Sequence, residues 1–145
     1  MMKTASKSEI LFAVWALMFQ IVLIGHFMAR RLSLPLIHSW GWVTYLVGIP
    51  AAVISLVLMR AGQPWYLWLG GLLCLVWAAF GLLVEYGLQI NWRSPIHYPV
   101  FIPYMILYLA TNMFYWWPLA RIERRLWFVG AFLFVCSTVL NILSH

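Results

Sequence analysis

The residues best placed for chemistry gather around one acid. Glu85 stands near the end of a long apolar run, and Gln89, Arg93 and His97 follow at intervals of four. Where a helix carries that spacing, the side chains share one face. A carboxylate and an imidazole meeting at one pocket can exchange a proton with a bound molecule. A carboxylate beside a guanidinium can equally be a fixed ion pair. Both uses of Glu85 stay open in the sequence: pairing with Arg93, Arg30 or Arg31 to fix packing, or serving a ligand as counter-charge or proton acceptor. From His97 onward, Phe101, Tyr104, Tyr108, Thr111, Asn112 and Tyr115 recur at helical spacing, opposite Ile102, Ile106, Leu109 and Met113. Buried hydroxyls and amides need hydrogen-bond partners, so the Tyr/Asn face must look inward. The expected ligand-binding set is Glu85, Gln89, Arg93 and His97 at a mouth, with Tyr104, Tyr108 and Asn112 deeper.

Other chemistries find less. No His pair has ligand spacing within one run, so a haem could be held only by joining His26 to His97 across the chain; no other cofactor is indicated. Cys74 and Cys136 each sit inside an apolar run, where a thiol acts as a small hydrophobe. Nucleophilic catalysis needs an activated nucleophile, and acid–base work needs suitably placed partners. There is no Asp in the chain. Glu85 with His97 is the one acid–base pairing on offer, so an enzyme acting on a lipid-like substrate ranks below non-enzymatic roles.

These residues need elements to position them, and the charges mark the elements out. Of 145 residues 66% are hydrophobic and only nine Lys/Arg and three Glu are charged, which excludes a water-soluble domain, a disordered chain and a disulfide scaffold. A membrane-spanning helix takes about 20 apolar residues. The uncharged runs predict an all-α transmembrane bundle of five spans, 10–29, 40–59, 66–88, 99–119 and 126–144, forming a single integral membrane domain over 1–145 with no soluble part. The first run is too long for a signal core of about 7–15 residues and reads as a retained span. Gly70/Gly71, Cys74, Ala78, Gly81 and Glu85 form a small-residue stripe for close helix contact; Gly48, Ala52 and Ser55 offer another in the second span, where Pro50 should bend the helix. Pro103 should free a carbonyl and can kink the fourth span. Gln20, Gly130, Ser137, Asn141 and Ser144 add polar or small positions.

Lys3, Lys7, Arg60, Arg121, Arg124 and Arg125 fall on one side and Arg30, Arg31 and Arg93 on the other, which predicts a cytoplasmic N-terminus and His145 outside. The positive balance is an insertion and lipid-headgroup signal, not a nucleic-acid face. Most of the ten Trp, among them Trp40, Trp42, Trp65, Trp92, Trp117 and Trp127, fall near span ends as an interfacial belt, while Trp15 and Trp77 lie deeper. The loops Arg31–His38 and Arg93–His97 echo each other as Arg, Ser, Pro, Ile and His in order, the pattern a duplicated hairpin would leave. Five spans and dense Trp are similar to the tryptophan-rich sensory/translocator family, which binds porphyrins and sterols, and Pro103-Tyr104 before Ala110-Thr111-Asn112 resembles a Pro-Tyr motif of its last span. Here the motif falls in the fourth span and the family's Trp/Pro-rich first loop is missing, so no residue role is carried over.

The expectation is an integral membrane protein, in a prokaryotic cytoplasmic membrane. It would bind or transport a small hydrophobic or amphipathic molecule in an outward-facing pocket between spans 3 and 4. A structural or accessory subunit of a larger membrane complex, or a homo-oligomer, is the alternative.

Overall fold

The computed structural model describes residues 5–144. Lys3, counted in the charge bias, and His145 lie outside the described residues. The chain is helical: α1 Lys7–Leu32, α2 Leu34–Trp40, α3 Trp42–Tyr45, α4 Gly48–Arg60, α5 Trp65–Leu82 continued by a wider π turn Leu83–Gly87, α6 Tyr98–Trp116, α7 Leu119–Ile122 and α8 Arg124–Leu143.

Among the described residues four stretches are long and apolar enough to cross a membrane: Lys7–Leu32, Trp42–Arg60, Trp65–Gly87 and Arg124–Leu143. The expected fifth span, 99–119, corresponds to α6. It has the length, 19 residues, but its tyrosines, prolines and Asn112 lower its hydropathy. The second span is not one rod. Pro50 cannot donate to the Leu46 carbonyl, and the chain crosses residues 46–47 in tighter turns, with Ile49 N–H bonded to Leu46 O at 3.0 Å. Pro50 then sits in the first turn of α4, where a missing N–H costs little. By contrast α6 runs unbroken through Pro103.

At the start of α1 a reciprocal cap closes the helix: Glu9 N–H donates to Ser6 Oγ at 3.2 Å and Ser6 N–H to Glu9 Oε2 at 2.7 Å. α5 is the central helix, with α4 on one side and α6 on the other, while α1 packs on α8. Its buried residues are the small stripe Gly70, Gly71, Cys74, Ala78 and Gly81, joined by Leu67 and Trp77. A Cβ at Gly71 would run into Ser55 and Ala51 of α4, and one at Gly81 into the Tyr45 ring, so both positions demand glycine for close approach. The facing stripe of α4 is Gly48, Ala51, Ser55 and Leu58. Ala52, expected there, lies one position off the contact line.

Candidate functional site

α6 turns Tyr104, Tyr108, Thr111, Asn112 and Tyr115 inward, and Ile102, Ile106, Leu109 and Met113 outward. Two separate polar groups form along this face. The deeper one is an amide–hydroxyl network. Gln20 Nε2 donates to Asn112 Oδ1 at 2.6 Å, Ser137 Oγ donates to Gln20 Oε1 at 3.1 Å, and Asn112 Nδ2 donates to the Tyr108 carbonyl at 2.7 Å. It ties α1, α6 and α8 together where the interior is fully enclosed. Asn112, expected deep in the site, is engaged in this network, apart from the Glu85–Arg93 pair.

The second group lies where α1 ends, α3 packs, α5 ends and α6 begins. Glu85 closes an ion pair with Arg93 Nη2, each half-buried. The helix does not carry Arg93 onto the Glu85 face, as the spacing suggested. It stops after Gly87, Gln89 takes a positive φ of 52°, and the following loop brings Arg93 back. Gln89 therefore points out of the cluster and is exposed. His97 caps α6 with its backbone and its side chain is also exposed, so it does not meet Glu85. Of the expected mouth, Glu85 and Arg93 come together, with Tyr104 beneath them at 6.0 Å from ring centroid to guanidinium.

Residues that the spacing did not single out complete the group. Trp92, expected at the interface, is buried, with its ring 4.5 Å below the Arg93 guanidinium and 4.7 Å from the Tyr104 ring. Tyr45 meets Tyr104 OH to OH at 3.3 Å. Arg30 is only 5% exposed. Its Nη2 lies 3.2 Å from His26 Nε2, and His26 Nδ1 lies 2.8 Å from Thr44 Oγ1. A guanidinium only donates, so His26 Nε2 is the acceptor, and Nδ1–H donates to Thr44. Arg93, Tyr104, Glu85 and Tyr45 all stand within electrostatic reach of Arg30. Among the described residues two guanidiniums thus share a single carboxylate, and Arg93 Nε is buried with no partner. Rings occupy the space below: Trp77 lies 5.5 Å from Tyr45, 5.9 Å from Tyr104 and 6.1 Å from Tyr108.

No protein-family model, curated protein or solved structure matches the chain.

His26 is engaged on both ring nitrogens while His97 stands out in the open, and the described residues hold no group of three His, Cys, Asp or Glu able to bind a metal. Cys74 and Cys136 are free thiols. The echoing loops differ in structure. The first is mostly the helix α2, which includes His38, whereas the second is an irregular turn with a bridge between Arg93 and Ile96. They do not form a structural repeat. Arg30 was visible as a charge after the first run. Its burial was not, because it depends on later segments, α2 and α3 among them, folding back against α1.

Proposed function

We propose that this chain is a membrane protein of five crossings that binds the acidic group of an amphipathic molecule at the end of the bundle formed by Arg30, Arg93, Tyr45 and Tyr104. α6 is the fifth crossing: it is about 28 Å long, matching a hydrocarbon core of about 30 Å, and it lies along α5. The charge bias of the loops supports an orientation with this binding end outside the cell and the Arg121–Arg125 end in the cytoplasm.

One observation carries the reading: Arg30, 5% exposed, has no carboxylate of its own among the described residues. A buried cation is costly unless paired. The cluster holds two guanidiniums and one carboxylate, so an added anion would neutralise it and accept from Arg93 Nε. The site lies within the span ends, where such an anion comes with an apolar body.

The test is lipid retention. The protein is placed in nanodiscs of mixed phosphatidylglycerol and phosphatidylcholine, released, and weighed intact by native mass spectrometry. The intact chain should keep phosphatidylglycerol preferentially. Arg30→Gln should reduce that retention about tenfold, the loss expected for one charged hydrogen bond. Equal retention of both lipids by the unmodified chain would overturn the reading.

A further inference from the structure

Beside the cationic cluster, α4 and α5 part to leave a cleft of about 140 Å³ lined by Tyr45, Leu46, Ile49, Leu75, Ala79 and Leu82, among others. Its origin is in the sequence. Gly48 faces Ala78, so the helices meet without side chains to fill the flank, and Ala79 beside them is too short to do so. Ile49 is 60% and Leu82 36% exposed, so the cleft opens sideways onto the surface that faces hydrocarbon. Its upper wall is the ring of Tyr45. The same Tyr45 hydroxyl meets Tyr104, and the Tyr104 ring lies 6.0 Å from the Arg93 guanidinium. Cleft and cationic cluster therefore share one residue as a partition. From Leu82 to Leu75 the cleft descends along α5 by about 10 Å at 1.5 Å per residue.

Resting on the binding reading above, we infer that the ligand is an anionic phospholipid whose head group lies at Arg30 and Arg93 and one of whose acyl chains fills the α4/α5 cleft. Charge complementarity selects the head: a phosphodiester oxygen accepts from Arg93 Nε–H and from the Arg30 guanidinium, and a zwitterionic head brings a cation into a group already one positive charge in excess. Continuity selects the chain. A lipid held by its phosphate at this end presents its first methylenes at Tyr45, where the cleft starts, and van der Waals packing against the cleft walls, not transfer out of water, holds the chain there. Arg30 and Arg93 are binding residues in this arrangement, Glu85 positions Arg93, and Tyr45 divides head from chain.

The probes are phosphatidylglycerol and phosphatidylcholine carrying a diazirine in mid-chain, each doped into nanodiscs with the full protein, photolysed, and mapped by peptide mass spectrometry. Adducts on Phe132 and Val135, which face outward on α8, report ordinary chain contact and normalise the yield. The phosphatidylglycerol probe should mark Leu46, Ile49, Leu75 and Leu82 about tenfold more than the phosphatidylcholine probe, the preference that one charge-assisted hydrogen bond confers. Ala79→Leu fills the cleft from an exposed position, without disturbing the core, and should cut those adducts about tenfold. It should leave retention of phosphatidylglycerol measurable, because the head-group contacts remain. Phosphatidylglycerol retention that still depends on Arg30, with adducts mapping elsewhere or unchanged by Ala79→Leu, overturns the chain placement while the head-group reading stands. Loss of any lipid preference in the unmodified chain overturns both. Arg30→Gln should abolish the preference at the cleft. If that variant does not fold, the comparison of the two lipids on the unmodified chain and the Ala79→Leu result decide the matter.

Discussion

Glu85 sits at the junction of two demands. It neutralises Arg93, and it competes with any anion that approaches the same guanidinium. Glu85→Gln keeps the shape and removes the charge, leaving Arg93 and Arg30 without a counter-ion. The pair is partly solvated, with side-chain exposures of 17% and 22%. The expected loss in phosphatidylcholine is therefore about 1–2 kcal/mol, below the roughly 3–5 kcal/mol of a fully buried pair. Thermal melting in nanodiscs reads it, and adding Arg93→Gln should restore most of the loss. Phosphatidylglycerol should also offset part of it, because the lipid phosphate takes the vacant place. A Glu85→Gln melting temperature unchanged in both lipids would mean that the pair contributes nothing. The deeper network makes a separate prediction. Asn112→Leu retains the bulk but strips the acceptor from Gln20 Nε2. The expected cost is about 1–2 kcal/mol for a stranded amide, measured by detergent-titrated unfolding, with lipid preference unchanged because the site is elsewhere.

At the scale of elements, α5 decides the arrangement. Its small stripe lets α4 approach so closely that Ser55 Oγ reaches the Trp68 carbonyl at 2.6 Å. Gly71→Ala places a methyl against Ser55 and Ala51 and should destabilise by about 1–3 kcal/mol, the usual overpacking cost. Gly25→Ala is the control, because nothing lies within 4 Å of its Cβ position. It should be neutral or stabilising by up to about 1 kcal/mol from helix propensity. Unfolding titrations of the two variants side by side check both signs. The end of α5 matters as much as its middle. By widening at Leu83–Gly87 and stopping, it lets Tyr86 OH reach the Ile37 carbonyl at 3.1 Å and lets the loop fold Arg93 onto Glu85.

At the scale of the whole molecule, successive long helices run up and down the bundle, so Ser6 and Ser144 belong to opposite ends. With α6 counted as a crossing, Ser6→Cys and Ser144→Cys, made one at a time in a chain whose native Cys are replaced, should label from opposite faces of sealed vesicles. Labelling of both from one face would remove the fifth crossing. α8 is the least enclosed of the long helices, with Phe128, Phe132, Val135, Val139 and Ile142 outward. Its polar Ser137 is turned in to Gln20, so its outer face is left to lipid chains.

Composition and periodicity alone determined that the chain is helical and apolar enough for a membrane, because charge spacing and hydropathy are local properties that one strand of text carries. The inward face of α6 and the stripe of α5 were legible for the same reason: spacing of three and four residues places side chains on a common face wherever the helix is straight. Spacing failed wherever a helix stopped. Gln89 continues the Glu85 series on paper, yet α5 ends at Gly87, so the series has no face to share. Arg93 reached Glu85 by a loop, Trp92 was buried under Arg93, and the second span broke ahead of Pro50. The association of Arg30, Tyr45 and Tyr104 came from three separate helices. Such meetings depend on which helices are neighbours and how far each extends, quantities set by packing between distant segments and by the closest approach that glycines allow. That is why only the tertiary structure revealed a cluster with more cations than acids, and the cleft beside it.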